Sequence, residues 1–154
     1  MPSILFVCLA NQIRSPIAAA TFHAAWLAQP GLPACRVASA GTWTRSGLPL
    51  SQPALSLALA VGLDLRRFRT TSIVDVHLPA YDWIVVMEKG QHEALAIEHP
   101  HLRPRIHLLT ALAGAYPSDI PDPTQVDPGT ALSVLLDLQA CVRQLAARLA
   151  APHP

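Results

Sequence analysis

Ile4-Leu5-Phe6-Val7-Cys8-Leu9-Ala10-Asn11-Gln12-Ile13-Arg14-Ser15-Pro16 joins an apolar run of strand length to a short loop that closes on Arg-Ser-Pro. An alanine-rich segment of helical character, residues 17–27, follows at once. The stretch reads as strand, loop, helix, with a cysteine at the mouth of the loop. Backbone N–H groups of a loop that feeds a helix N-terminus converge on one point and carry the positive end of the helix dipole, a ready site for a phosphate or sulfate. The field that attracts an oxyanion also favours thiolate over thiol in a cysteine placed there, and the thiolate is the nucleophile. Arg14 can return its planar fork to the loop centre and grip two oxygens of a phosphoryl group, as a lysine point charge cannot. Pro16 suits the first helical turn, where its missing N–H costs nothing.

Outward from this stretch, strand-like and helix-like segments alternate, the pattern of βαβ units on a parallel sheet. The reading is a strand over 3–7, a helix over 16–28, a short strand over 35–39, and a turn at Gly41 close to the first loop. A helix over 53–61 follows, with Gly62 as its C-cap, then a buried strand over 83–87 and a helix over 90–97 stopped near Pro100. A fourth strand covers 106–109, the proline-rich segment 117–128 is a loop, and a long amphipathic helix over 131–150 carries Leu135, Leu138, Val142, Leu145 and Leu149 on one face. The fold class expected is α/β: one domain over 1–154, a three-layer sandwich with a central, mostly four-stranded parallel sheet and helices on both faces.

Composition narrows the function classes. The 154 residues are 51% hydrophobic and 14% charged, a globular composition rather than a disordered one. A formal net charge of +1 leaves no basic stripe for a general nucleic-acid binder. No basic leader precedes the first apolar run, and no segment reaches about 20 apolar residues, so no membrane attachment is expected. Three widely spaced cysteines, Cys8, Cys35 and Cys141, fit a reduced, cytoplasmic setting. Seven scattered histidines lack the spacing of a helical metal site, and no metal is expected.

The loop residues 8–16 resemble the signature of the low-molecular-weight protein tyrosine phosphatases, in which cysteine and arginine are separated by five residues and followed by Ser-Pro. Ser39-Ala40-Gly41-Thr42, Asp82-Trp83-Ile84-Val85-Val86-Met87-Glu88 and Pro121-Asp122-Pro123 are similar in order and spacing to that family's second-strand turn, third-strand segment and late general-acid loop. The resemblance implies a phosphomonoester hydrolase acting through a cysteinyl-phosphate. In it, Cys8 attacks phosphorus, while Arg14 and the loop from Leu9 through Ala10, Asn11, Gln12 and Ile13 to Ser15 hold the oxygens. Asp122 serves as acid and then as base. Ser15 donates to the cysteine sulfur, and Asn11 shapes the loop through contacts that include Ser39. Trp43 is either a packing residue or part of the pocket mouth. No cofactor is implied. The substrate class is a phosphotyrosine protein or a small phosphomonoester, and the protein would be a monomer or weak dimer.

Several positions depart from the family's pattern. Ala10 stands where glycine is usual, and Ile13 replaces a second cysteine that can form a protective disulfide with the nucleophile. Gln12 takes an aliphatic position, and Phe68 falls near the place of a histidine that supports the loop asparagine. Thr124-Gln125 replaces an aromatic pair that walls the cleft, which weakens the case for aryl specificity. These changes motivate a second reading, a catalytically weakened anion-binding or partner-binding relative on the same scaffold. A thiol-dependent arsenate reductase uses a similar loop but needs two further cysteines close together near mid-chain, and none lies between Cys35 and Cys141.

Overall fold

In the first strand, β1 (Ser3–Cys8), all six residues are buried, which marks it as a strand covered on both faces. Alternate side chains serve two cores: Ile4, Phe6 and Cys8 join one cluster, Leu5 and Val7 the other. In this computed structural model, which describes residues 1–152, β1 pairs in parallel with β2 (Arg36–Gly41) on one side and with β3 (Trp83–Val86) on the other. Strand β4 (Ile106–Leu108) completes a four-stranded, all-parallel sheet of order β2-β1-β3-β4. The chain runs from β1 to one neighbour and then crosses to the other, so the carboxyl end of β1 lies where the winding reverses. Open α/β sheets bind ligands in the crevice at such a point.

Helices cover both faces, as expected. On one side α1 (Arg14–Leu27), α2 (Gln52–Ala60) and α5 (Pro128–Ala150) enclose the larger core, in which Ile17, Phe22, Leu135, Leu138, Val142 and Leu145 are buried. The rings of Phe6, Phe22 and Trp26 follow one another at centroid distances of 5.6 and 5.7 Å. Gln139 ties the layer together from inside, donating to Thr21 Oγ1 at 3.3 Å and to the Val61 carbonyl at 3.1 Å. On the other side α3 (Lys89–Glu98) and the 3₁₀ turn Pro100–Arg105 pack Leu95 and Leu102 against Leu5, Ile84 and Ile106. Among the described residues, no helix is long and apolar enough to cross a membrane.

The element bounds differ from the sequence reading at three informative places. Helix α1 begins at Arg14, two residues before Pro16, so the arginine and serine of the loop belong to the first helical turn. Helix α5 begins at Pro128 rather than 131, because Asp127 caps it, accepting from the Thr130 amide at 2.9 Å, and proline at the first helical position is well tolerated. A short helix α4 (Leu109–Leu112) follows β4 with only a four-residue run, too short to show a period. Gly62, with φ of +87°, ends the α2 region in the left-handed conformation expected of a C-cap glycine.

Candidate active site

Residues 9–13 bridge the buried end of β1 and the first turn of α1. No side chain caps that helix, so its first-turn N–H groups face the loop centre with no side-chain acceptor of their own. The chain turns sharply at Asn11, which has φ of +54° and is the one non-glycine residue with positive φ among those described. Its Oδ1 accepts from the Thr71 amide at 2.9 Å, which fixes the amide orientation and directs Nδ2 at Ser15 Oγ (2.8 Å) and Ser39 Oγ (3.0 Å). Because Ser15 Oγ accepts from Asn11, its single proton is free to point at Cys8 Sγ, 3.0 Å away, or at the Ala40 carbonyl, 3.4 Å away. Asn11 and Ser15 are completely buried, and Cys8 is nearly so. The network therefore works in a dry setting, where hydrogen bonds are strong and unpaired groups costly.

Arg14 is buried, and its guanidinium is gripped from the opposite wall. Nη1 donates to Glu88 Oε1 at 2.8 Å and to the Ile120 carbonyl at 2.8 Å, while Nη2 lies 4.0 Å from Asp122 Oδ2. With Nη1 held, the remaining donors of the fork are oriented for a ligand. The segment carrying Asp122 is itself fastened to the sheet. The Ile120 amide donates to the Met87 carbonyl at 2.9 Å, the Lys89 amide to Asp119 Oδ1 at 2.8 Å, and Thr110 Oγ1 exchanges hydrogen bonds with the Ser118 backbone. Asp122 then opens the 3₁₀ turn Pro123–Gln125, where its Oδ1 accepts from the Thr124 amide and hydroxyl.

Cys8, Arg14 and Asp122 share one cavity of about 590 Å³, while Asn11, Ser15 and Glu88 stand behind its lining. Its floor is Cys8, Leu9, Ala10, Gln12, Ile13 and Arg14, one wall is Asp122, Pro123, Thr124 and Val126, and the facing wall comes from Pro53, Ala54 and Leu57 of α2. A nucleophilic sulfur, a cationic fork, helix-end amides and a carboxyl group around one void match the needs of in-line phosphoryl transfer to sulfur. Trp43 is not in the wall. Its backbone N–H braces the loop at the Leu9 carbonyl (2.8 Å), but its side chain is 81% exposed and borders a separate depression with Leu48 and Val74. Burial raises the pKa of the Cys35 and Cys141 thiols, and neither residue lines the cavity.

The profile of the family described as low molecular weight phosphotyrosine protein phosphatase matches residues 3–153. The chain belongs to this family. A similar sequence is the probable low molecular weight protein-tyrosine-phosphatase EpsP of Ralstonia nicotianae, 32% identical over 98 residues, a span of 64% of this chain and 63% of the relative. The match thus spans less than two thirds of that relative's length. A protein-arginine-phosphatase of Geobacillus stearothermophilus is 28% identical over 120 residues, 78% of this chain and 77% of the other. Among solved structures, the tyrosine phosphatase Wzb of Escherichia coli K30 in complex with sulphate superposes with a TM-score of 0.81 at 25% identity, covering 96% of this chain and 97% of that one.

Within this family's pattern, the loop departures have specific structural outcomes. Ala10 causes no backbone strain, since the left-handed position is Asn11 and not Ala10. Gln12 turns outward to the start of α2, accepting from the Ser51 amide at 2.9 Å and reaching the Pro49 carbonyl at 3.5 Å. Phe68 packs partly buried against the larger core, and the second anchor of Asn11 is the Thr71 backbone instead. Glu88, the Ile120 carbonyl, Thr71 and the α2 wall carry no local motif, and sequence reasoning did not single them out. Glu88 lies just past β3 and caps the start of α3.

Gly41 sets how tightly the second strand can close on the loop. A Cβ built there would lie 2.8 Å from the Leu9 carbonyl oxygen and 2.9 Å from the Asn11 nitrogen, both backbone atoms that cannot swing away. Gly41→Ala should displace the loop by a fraction of an ångström and lower kcat/KM for p-nitrophenyl phosphate about tenfold to a hundredfold. The cost in stability should be about 1 to 3 kcal/mol by urea unfolding. Full activity in Gly41→Ala would show that the loop tolerates displacement.

Proposed function

We propose that the protein is a phosphomonoester hydrolase of the protein tyrosine phosphatase type, working through a cysteinyl-phosphate. The observation that carries the reading is the meeting of Cys8, Arg14 and Asp122 in one cavity, with 106 residues separating Arg14 from the Ile120 carbonyl it binds. Cys8 Sγ attacks phosphorus in line with the leaving oxygen, the S–P bond forming as the P–O bond breaks. The loop amides from Leu9 to Ser15 and the free donors of Arg14 hold the three equatorial oxygens, where negative charge is spread in the transition state. Asp122 gives its proton to the leaving oxygen, then takes one from the water that cleaves the S–P bond and releases phosphate. The Ser15 hydroxyl, freed by Asn11 to donate to Cys8, stabilises the departing sulfur, and Ser39 supports it one step back. No metal or organic cofactor enters this scheme.

The substrate assigned is phosphotyrosine on a protein. The apolar lining, Leu9 and Ile13 on the floor and Leu57 and Val126 on the walls, suits a ring of that size. A reducing cytoplasm fits a reaction that needs Cys8 unoxidised, and all three cysteines are unpaired. Asp122→Ala should lower kcat/KM on phenyl phosphate about 10²-fold, the range of a positioned general acid, with little change in KM and a smaller loss on p-nitrophenyl phosphate. Absence of turnover in the wild type, together with tight vanadate binding, would favour an anion-binding protein instead. Phosphotyrosine and phosphoarginine peptides of one sequence, assayed side by side, test the substrate class. A preference for the phosphoarginine peptide would overturn the assignment of phosphotyrosine and leave the cysteine mechanism standing.

A further inference from the structure

Asp122 is not a free carboxyl group. Its Oδ1 accepts twice from one residue, from the Thr124 amide at 2.9 Å and from the Thr124 hydroxyl at 2.8 Å. Its Oδ2 has no such donor and lies on the side of the phosphate cradle, 4.0 Å from Arg14 Nη2. Thr124 lines the cavity at the position where the family's aromatic wall begins. A carboxylic acid carries one proton on one oxygen, and placing it on Oδ1 would set it against the Thr124 amide, which can only donate, and would oblige the Thr124 hydroxyl to give up its donated bond and accept instead. The proton therefore belongs on Oδ2, the oxygen facing the ester.

We propose that Thr124 is a positioning residue for the general acid, its hydroxyl holding the Asp122 carboxyl so that Oδ2 alone carries and delivers the transferred proton. The proposal rests on the assignment of Asp122 as acid and base. In the first step, the S–P bond forms, the P–O bond breaks and the Oδ2 proton passes to the leaving oxygen. In the second, water attacks phosphorus, its proton passes to Oδ2, and the S–P bond breaks to release phosphate. The carboxyl returns to its protonated state, and Thr124 keeps its own proton throughout. The backbone N–H of Thr124 alone pins Oδ1 against translation. The hydroxyl adds the second bond that resists rotation about the carboxyl axis, which would otherwise exchange the two oxygens.

The test uses kcat/KM, which reports the step that expels the leaving group, on two small esters. Phenyl phosphate has a basic leaving oxygen and needs the proton, whereas p-nitrophenyl phosphate has a weakly basic one and needs it much less. Thr124→Val removes only the hydroxyl from an exposed position, and it should lower kcat/KM on phenyl phosphate about fivefold to tenfold, the worth of one hydrogen bond. The loss on p-nitrophenyl phosphate should stay below about twofold. Thr124→Ser should restore the phenyl phosphate value. Equal losses on both esters, no loss on either, or failure of the serine variant to restore activity would each overturn the role of the hydroxyl. Asp122→Ala serves as the reference. If it falls more on phenyl than on p-nitrophenyl phosphate while Thr124→Val does not, the acid assignment stands and the Thr124 proposal fails. If Asp122→Ala itself shows no leaving-group dependence, both fail.

Discussion

Cys8→Ser should abolish turnover of p-nitrophenyl phosphate, by about 10³-fold or more, while leaving the anion site in place. The substitution exchanges sulfur for oxygen at a position that is 3% exposed, where it faces Ser15 Oγ at 3.0 Å. A serine hydroxyl keeps that contact and nearly the same volume, so the loop keeps its shape. What it lacks is nucleophilicity, because a hydroxyl holds its proton near neutral pH and the surroundings offer no base to take it. Ser15 offers only a neutral hydroxyl, which is no base at that pH, and the carboxyl of Asp122 sits across the cradle beside Arg14. Inorganic phosphate or vanadate should still bind within a few-fold of wild type, read by protection against thermal unfolding. Undiminished hydrolysis in Cys8→Ser would sink the cysteinyl-phosphate mechanism.

Arg14→Lys should cost nearly as much, about 10²- to 10³-fold in kcat/KM, although the charge is retained. The guanidinium does two jobs with separate nitrogens. Nη1 bridges Glu88 and the Ile120 carbonyl, and the other donors face the cavity. A lysine ammonium placed for the phosphate leaves Glu88 and the Ile120 carbonyl without their donor, and one placed for those oxygens leaves the phosphate unclamped. Because Ile120 is two residues from Asp122, the same substitution loosens the general-acid segment. Affinity for vanadate and the benefit from Asp122 should therefore fall together. Combining Arg14→Lys with Asp122→Ala should be markedly less damaging than the sum of the two losses, the non-additivity of groups that act as a unit. Strict additivity would show that Arg14 has no hold on the acid segment.

Both outcomes depend on features of unequal legibility. The strand, the loop and the first helix are written contiguously, so their chemistry can be read from thirteen consecutive residues. The apolar run of β1 and Pro16 in the first helical turn follow local rules, and the structure obeys them. Asp122 is legible only through the resemblance of Pro121-Asp122-Pro123 to the family's late loop. The proline-rich segment around it was harder to read, since proline signals a loop break and a helix start alike, and the cap at Asp127 decided in favour of the helix. Ala10 stands where the family has glycine, but the left-handed turn falls one residue later, at Asn11. Trp43 follows directly on a motif that touches the loop, yet the backbone leaves β2 in a direction that turns its ring to solvent.

By itself the sequence determined the parallel α/β architecture and the loop that sets a cysteine and an arginine between the first strand and the first helix. These follow from hydrophobic periodicity and from residue types at fixed short spacing, both of which survive any rearrangement of distant segments, whereas Asp122 is reached only through the family resemblance of Pro121-Asp122-Pro123. Only the tertiary structure decided that Glu88 and the Ile120 carbonyl hold Arg14, that the Thr71 amide orients Asn11, that α2 supplies the far wall, and that Thr124 binds one oxygen of Asp122 through its side chain. The hydrogen bonds to Arg14 and Asn11 link positions 60 to 106 residues apart, brought together, like the α2 wall, by sheet order and helix packing, and contact across such a distance leaves no period or spacing in the chain. The fourth is close in sequence, but it depends on a side-chain rotamer set by the 3₁₀ turn, which the letters Asp-Pro-Thr do not specify.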